Sequence, residues 1–200
     1  MPYEGTNSVK TMNYSEAAAW STFQCGHCNV ATTGYTVAQY PTKQGTIKWL
    51  LCTNCGNGSV QNNDASILPG AMYGPNLQGI PPDAVSAYTE SRKCLSVGAY
   101  TACELICRKI LMHIAVDKGA PEGDTFKNYL TFLETQGYIT KPMKAWVELI
   151  KEHGNSSTHK LPSPDKPRAE NTLMFTAELL RLVYEMEHIA KQYVPQPTKS

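Results

Sequence analysis

Apolar residues follow two different periods along this chain, and the change between them falls near Pro81. Before that point, residues 34–40 and 46–51 are rich in β-branched and aromatic side chains and are separated by a turn at 41–45. Two such stretches joined by a tight turn predict a β-hairpin. After Pro81, apolar residues recur at helical spacing as far as Tyr193. The pattern therefore predicts a small β part followed by a larger helical part.

Five helices are predicted in the second part, over about 82–96, 99–118, 124–136, 142–153 and 169–193. Proline suits the first turn of a helix, so Pro82 marks the start of the first helix, and Gly98 marks its end. The second helix is apolar on most sides, as expected for the central helix of a bundle. Short connections favour an antiparallel arrangement. Residues predicted to face inward include Val85, Tyr88, Leu95, Phe175, Leu179, Leu182, Met186, Ile189 and Tyr193.

Two Cys-x-x-Cys pairs, Cys25 with Cys28 and Cys52 with Cys55, flank the predicted hairpin. The two thiolates of such a pair can bind one metal ion from a tight turn, and a second pair completes the tetrahedral shell of the same ion with no open position. A redox dithiol and two disulfides are the alternatives, but a redox motif is usually a single pair at a helix start. We therefore predict one structural zinc ion per chain, with His27 as a bystander. The small core of such a zinc ribbon depends on its metal.

These elements predict a mainly α fold, in which an antiparallel helical bundle follows a small β zinc ribbon. The predicted divisions are a lead-in over 1–23, the zinc ribbon over 24–58, a linker over 59–80, the bundle over 81–193 and a flexible tail over 194–200. The linker is assigned because Gly, Asn, Pro and Ser are dense there and no period is present.

Composition limits the function further. The chain has 200 residues, of which 42% are hydrophobic and 18% charged, and a formal net charge of +1. These values suit a globular protein without a general field for nucleic acid or membranes, so any such binding must be local. No apolar stretch approaches the roughly 20 residues that span a bilayer, and the first residues lack a signal-peptide pattern. We expect a cytoplasmic protein with no membrane contact, in which Cys94, Cys103 and Cys107 are buried thiols.

Two polar features interrupt the predicted bundle. Glu104 and Arg108 lie one turn apart on the apolar second helix, where a charge requires a polar partner. Gly154, Asn155 and His159 form a polar turn after the fourth helix, for which a helix-capping glycine and a solvated loop are the structural alternative. We predict that Glu104, Arg108, Asn155 and His159 converge on one polar site.

From the paired cysteines to the last helix, the chain carries an ordered series of motifs. After the ribbon and the linker come a Pro81-Pro82 helix start, Gly98, Tyr100, Ala102 and Arg108, then Gly154-Asn155-x-x-x-His159 and a long terminal helix. This order resembles a bacterial family of domains of unknown function that occurs alone and attached to restriction-type enzymes, and that is similar to the HEPN superfamily. The resemblance implies a HEPN-like helical bundle that forms a homodimer and acts in phage defence or restriction.

The resemblance implies a motif used by active HEPN ribonucleases, in which an Arg is followed by Asn or His and then, after three intervening residues, by a His. Asn155 and His159 match this motif, but glycine replaces the arginine. Metal-independent RNA cleavage needs a base and a cation beside the phosphate, so the cation would have to come from Arg108, Lys151 or Lys160. We therefore predict a non-catalytic, zinc-containing recognition module for nucleic acid or a partner protein. The alternative is an endoribonuclease that uses His159, Asn155 and Arg108.

Residues 141–168 hold six basic side chains against three acidic ones, which gives a modest positive patch. Lys144, Lys151 and Lys160 are the candidates for contact with RNA or DNA. A solvated helix face is the alternative explanation of the same count.

Overall fold

The computed structural model describes residues 10–13, 15–155 and 164–193, with no side-chain description for Ala18 and residues 152–155. The chain divides between Met72 and Tyr73 into two compact units. The first unit contains a β-sheet, and the second contains the helices.

The first unit is built on an antiparallel sheet of six strands within the described residues. The strands are β1 (Lys10–Thr11), β2 (Trp20–Gln24), β3 (Ala31–Thr42), β4 (Gly45–Cys52), β5 (Gly58–Gln61) and β6 (Ile67–Leu68). Their order is β1-β3-β4-β5-β6, and β2 also pairs with β3. Strands β3 and β4 form the predicted hairpin, which closes where Thr42 pairs with Gly45.

Strand alternation gives the sheet two different faces. Leu50 and Cys52 lie on one face of β4, where they form a small core with Phe23 and Cys25. The Phe23 ring packs directly over Gly34, so a Cβ at residue 34 would overlap the ring. This face carries the cysteines, so the residues of β4 that alternate with Leu50 and Cys52 point to the opposite face.

The prediction of a mainly α fold is wrong. Of the residues that the structure describes, 49% are helical and 19% are in strands, so the fold is a mixed α and β fold. Strands β1, β5 and β6 have two to four residues each, which is too short for a recognisable period, and all of β2 except Gln24 lies in the predicted lead-in. Residues 59–80, which were predicted to form a linker, contribute most of β5 and all of β6. Pairing with the longer strands β3 and β4 makes these polar segments extended, which local propensity does not predict.

The second unit contains all the predicted helices with small shifts of their ends. They are α1 (Pro82–Ser96), α2 (Tyr100–Asp117), α3 (Phe126–Thr135), α4 (Lys144–Asn155), α5 (Lys166–Leu180) and α6 (Met186–Tyr193). A 3-10 turn at Lys141–Met143 precedes α4, and a π-helical segment at Arg181–Glu185 joins α5 to α6. Helix α1 ends at Ser96, two residues before Gly98, whose φ of +79° is the left-handed conformation that favours glycine.

The core of the second unit lies around α2 and α5, as predicted for a central second helix. Its fully buried residues include Cys103, Cys107, Leu111, Ile114, Leu130, Leu133, Leu173, Phe175, Leu179 and Leu180. Among the described residues, no helix combines the length and the apolar character needed to cross a bilayer.

The inward-facing residues predicted for the end of the chain are wrong. Leu182, Met186, Ile189 and Tyr193 are 38–81% exposed, whereas Val183 and Tyr184 are buried. A π-helical turn contains one residue more than an α-helical turn, so the inward positions move by one after Leu180. Val85 of α1 was also predicted to face inward and is exposed.

Residues 73–80, here called the strap, run across the helices of the second unit. The buried Arg92 donates from Nε to the carbonyl oxygen of Tyr73 at 2.7 Å. The backbone N–H of Gln78 donates to the Glu185 carboxylate, also at 2.7 Å. These bonds satisfy buried charged groups with strap backbone, so the strap is part of the helical unit.

Candidate metal centre

The first cysteine pair lies in a tight turn between β2 and β3. The backbone N–H of Asn29 donates to the carbonyl oxygen of Cys25 at 2.8 Å, and the N–H of Cys25 donates to the carbonyl oxygen of Val30 at 3.1 Å. Asn29 has a φ of +57°, which closes the turn. Gly26 cannot carry a side chain, because a Cβ there would overlap the carbonyl oxygen of Pro69.

The second pair, at the end of β4, repeats this backbone pattern. The N–H of Gly56 donates to the carbonyl oxygen of Cys52 at 2.9 Å, and the N–H of Cys52 donates to that of Asn57 at 3.0 Å. Gly56 has a φ of +72° and occupies the position that Asn29 has in the first turn. The two turns therefore present their cysteines in the same way. In both turns, the residue four positions after the first cysteine has a positive φ, a conformation that favours Gly or Asn.

The four sulfur atoms converge. Cys25 Sγ lies 3.8 Å from Cys55 Sγ, and Cys28 Sγ lies 3.8 Å from Cys52 Sγ. All four lie within 4.8 Å of one another. A tetrahedral shell with zinc–sulfur bonds of about 2.3 Å has sulfur–sulfur distances of about 3.8 Å, whereas a disulfide bond is about 2.05 Å long. The cysteines are free thiols in a geometry that can hold a metal ion.

The surroundings of the thiols shift their pKa values in different directions, which affects how readily each one forms the thiolate that binds a metal. Burial raises the pKa of Cys25 to about 11. The side-chain amide of Asn57, 3.4 Å from Cys55 Sγ, lowers the pKa of that thiol to about 6. The side chain of Asn54 likewise lowers the pKa of Cys28. Metal binding requires thiolates, so the charge of the bound cation would hold the buried Cys25 sulfur in its ionised form.

This arrangement suits a structural site. Four sulfur ligands occupy every vertex of a tetrahedron and leave no position for water or substrate. His27 is not one of the four converging side chains; its Nε2 lies 3.0 Å from the carbonyl oxygen of Gly58, so it connects the first turn to the start of β5.

Glu104 and Arg108, the charged residues predicted to interact inside the bundle, have partners on different helices. Arg168 of α5 donates to the buried Glu104 carboxylate from Nε to Oε1 at 2.6 Å and from NH2 to Oε2 at 2.8 Å. The guanidinium of Arg108 lies over the Phe126 ring of α3, 4.4 Å from its centre. Arg168, which was predicted only as a member of the basic patch, is therefore the partner of Glu104.

The other two members of the predicted polar site cannot be placed beside this pair. Helix α4 continues through Gly154 and ends at Asn155, whose side chain is outside the described part of the chain. His159 and Lys160 fall in residues 156–163, which are also outside the described residues. A polar site that includes Asn155 and His159 stays a prediction.

The two described lysines that were candidates for nucleic-acid contact both form ion pairs. Lys144 Nζ lies 2.7 Å from Glu134 Oε1. Lys151 Nζ lies 2.7 Å from Glu148 Oε1 and 3.8 Å from Glu134 Oε2. Neighbouring carboxylates therefore offset the charges that a phosphate would contact.

The sheet also carries an apolar surface that was not predicted from the sequence. It lies on the face opposite Cys52, and it is here called the apolar sheet surface. Its members are Val37, Trp49, Leu51, Val60 and Leu68. Apart from the partly buried Val60, these side chains are 37–44% exposed. The sequence of β4 contained the signal for this surface. If Cys52 faces the metal site, strand alternation places Leu51 and Trp49 on the opposite face of the sheet.

Residues 89–195 match the model of a family described as a domain of unknown function (DUF4145). The match covers more than half of the chain and lies entirely in the helical unit. The comparison with curated proteins gives no match, and neither does the comparison with solved structures. The zinc ribbon, the HEPN-like bundle and the link to restriction enzymes stay predictions.

Proposed function

This chain belongs to the DUF4145 family of domains of unknown function, and we propose that it is a non-catalytic recognition module for a partner protein. The observation that carries this proposal is the apolar sheet surface, held by strand β4 whose last residue is a candidate metal ligand. The family description assigns no activity. Phage defence or restriction stays the predicted biological setting.

The candidate metal centre supports a stabilising role in this module. We expect the metal to be zinc, because an all-sulfur tetrahedral shell is typical of structural zinc sites. A metal at this position would tie the ends of β2 and β4 together and fix the register of the central strands. Register matters, because a slip of one residue would turn Trp49 and Leu51 to the opposite face.

The chemistry of the apolar sheet surface favours a protein over a nucleic acid. The charged residues of the strands are Lys10 and Lys48, and both lie on the cysteine-bearing face. Affinity for nucleic acid depends on cations that contact phosphate, and this surface offers none. Exposed Trp and aliphatic side chains without charges are typical of the centre of a protein interface.

Nucleic-acid binding is tested with purified metal-loaded protein and labelled single-stranded RNA, single-stranded DNA and duplex DNA. Fluorescence anisotropy should show no saturable binding at physiological salt. Tight binding that weakens steeply as salt is added would contradict the proposal and support a nucleic-acid ligand instead.

The partner is identified by placing a photo-crosslinking amino acid at Leu51 in native cells. Val30 is the control position, because it has a similar exposure in the same unit and is not part of the apolar sheet surface. We expect a discrete crosslinked protein from position 51 and none from position 30. Purified, that protein should bind wild type and Val30→Lys equally and Leu51→Lys at least about tenfold more weakly. Equal binding by both variants would contradict the assignment of this surface.

A further inference from the structure

A notch of about 260 Å³ lies in the apolar sheet surface, at the start of strand β5. Its walls are the side chains of that surface, and Gly58, which has no side chain, lies among them. Strand pairing explains the shape, because Leu51 of β4 lies opposite Gly58, whereas Trp49 lies opposite Val60. The floor of the notch therefore reaches the backbone of β4 and β5, and the whole notch belongs to the first unit.

Within the described residues, neither backbone conformation nor crowding requires glycine at position 58. Its φ lies outside the left-handed region, and a Cβ there would have one neighbour within 4 Å, the carbonyl oxygen of Leu50 at 3.8 Å. The other two strand glycines differ, since Gly34 lies against the Phe23 ring and Gly45 has a φ of +146°. Glycine is disfavoured in strands, so a glycine without either cause marks a place that another molecule approaches closely.

The lining of the notch limits what can enter it. Every lining residue is uncharged, so an entering Lys or Arg side chain would lose its hydration without meeting a carboxylate. Small-molecule sites usually have at least about 300 Å³ and enclose most of their ligand. This notch is smaller and continues into an exposed apolar surface. These features suit one large apolar side chain that belongs to a protein.

We propose that the notch receives one aromatic side chain of the partner protein, and that Gly58 gives this side chain room. The inference rests on the proposed function, because it takes the apolar sheet surface as the docking surface for that partner. Trp, Tyr and Arg dominate the centres of protein interfaces, and the uncharged lining of the notch excludes Arg. A ring in the notch would lie beside the exposed Trp49 side chain, and contacts between aromatic rings add to the energy of the buried area.

The notch is held in shape by the strands around it. Gly58 pairs with Leu51 of β4, and Val60 pairs with Leu68 of β6. The His27 ring lies 3.0 Å from the carbonyl oxygen of Gly58, so the first cysteine turn also holds this position. A pocket that already has its bound shape loses less conformational entropy when it is occupied.

The first test uses the purified, metal-loaded chain and N-acetyl-tryptophanamide, an uncharged aromatic probe, with N-acetyl-alaninamide for comparison. Binding is followed by NMR through the methyl signals of Leu51, Val60 and Leu68. We expect saturable shifts of these signals with the aromatic probe and none with the alanine probe. No saturable shift with the aromatic probe would overturn the inference.

Two substitutions, Gly58→Ala and Gly58→Val, fill the notch to different extents. The backbone at this position accepts a side chain, so both variants should melt at or above the wild-type temperature. Affinity for the aromatic probe should fall with Ala and should fall at least about tenfold with Val. Ala31→Val is the matched control, because Ala31 is an exposed strand residue of the same unit outside the notch, and it should bind the probe like wild type.

Two results with these variants would contradict the inference. Equal probe affinity of Gly58→Val and wild type would show that the probe does not occupy the notch. A marked drop in the melting temperature of Gly58→Ala would show that the fold itself requires glycine at this position.

The crosslinked partner separates this inference from the proposed function. Gly58→Val should weaken binding of that protein at least about tenfold, as Leu51→Lys does. If Leu51→Lys weakens binding and Gly58→Val does not, the surface docks the partner without the notch, and only this inference fails. If neither variant weakens binding, the proposed function fails as well.

Discussion

The buried ion pair between Glu104 and Arg168 gives a sharp prediction for stability. In Arg168→Met the aliphatic part of the side chain remains and the charge is lost. The Glu104 side chain, about 10% exposed, then loses two charge-assisted hydrogen bonds of 2.6 and 2.8 Å. Breaking a buried pair costs about 3–5 kcal/mol of unfolding free energy, and the 20% exposure of the Arg168 side chain places this case near the lower end, at about 3 kcal/mol.

Arg108 is a matched control, since it lies on the same helix as Glu104, one turn away. Its guanidinium contacts the Phe126 ring, so Arg108→Met should remove a cation–π contact of about 0.5–1 kcal/mol. The losses of unfolding free energy caused by Arg168→Met and Arg108→Met should therefore differ by about 2 kcal/mol. Helical spacing alone pairs Glu104 with Arg108 and therefore predicts the larger loss at Arg108.

The assay is urea unfolding followed by the helical circular dichroism signal, with the free energy extrapolated to water. The double variant Glu104→Gln/Arg168→Met should recover part of the loss, because a neutral amide leaves no buried charge. Equal losses for Arg168→Met and Arg108→Met would refute the reasoning. A double variant as unstable as the sum of the single variants would also refute it.

Three further predictions follow from the geometry. Protein washed with a chelator should retain about one zinc ion per chain in elemental analysis, because a closed four-sulfur site is part of the fold; folded, metal-free protein with reactive thiols would contradict this. Burial raises the pKa of Tyr88 to about 12, above the ordinary value of about 10, so stability present below pH 10 is lost as pH rises toward 12. Tyr88→Phe should reduce that loss in unfolding free energy by on the order of 2 kcal/mol, and an unchanged pH profile would contradict the assignment. Gly79→Ala should destabilise the protein by at least about 2 kcal/mol more than Gly123→Ala, because both glycines have positive φ but only a Cβ at Gly79 overlaps His188; equal thermal melting of the two variants would contradict this.

The helices could be predicted well because their ends depend on local signals. Pro82 fixes the start of α1, and Gly98 adopts the left-handed conformation that ends it. Both effects act through the residue's own backbone and need no knowledge of the rest of the fold. The predicted and observed ranges of α1 are the same for that reason.

The facing of the last helix could not be predicted, because it depends on the π-helical segment. Helical spacing from Phe175 continues smoothly through Leu182 and Met186, and nothing in that spacing marks an extra residue per turn. The π turn buries Tyr184, whose hydroxyl donates to Asp117 of α2 at 2.9 Å. The change of phase is therefore tied to a tertiary contact between residues far apart in sequence.

The same limit applies to the partner of Glu104. A buried charge on an apolar helix requires a partner, and that requirement was evident from the sequence. Arg168 lies 64 residues further along the chain, and helical spacing on α2 favoured Arg108 instead. Local spacing identifies which residue needs a partner, whereas packing between α2 and α5 decides which residue supplies it.

The candidate metal centre shows how one local assignment can determine a distant surface. Once Cys52 is taken as a metal ligand, strand alternation places Leu50 on the same face and Leu51 and Trp49 on the other. Leu50 is buried with the cysteines, and the other two are exposed. A strand that is apolar on both faces requires two partners. The small core that contains Cys25 and Cys52 covers one face of β4, and the uncharged surface on the other face is where we place the partner protein.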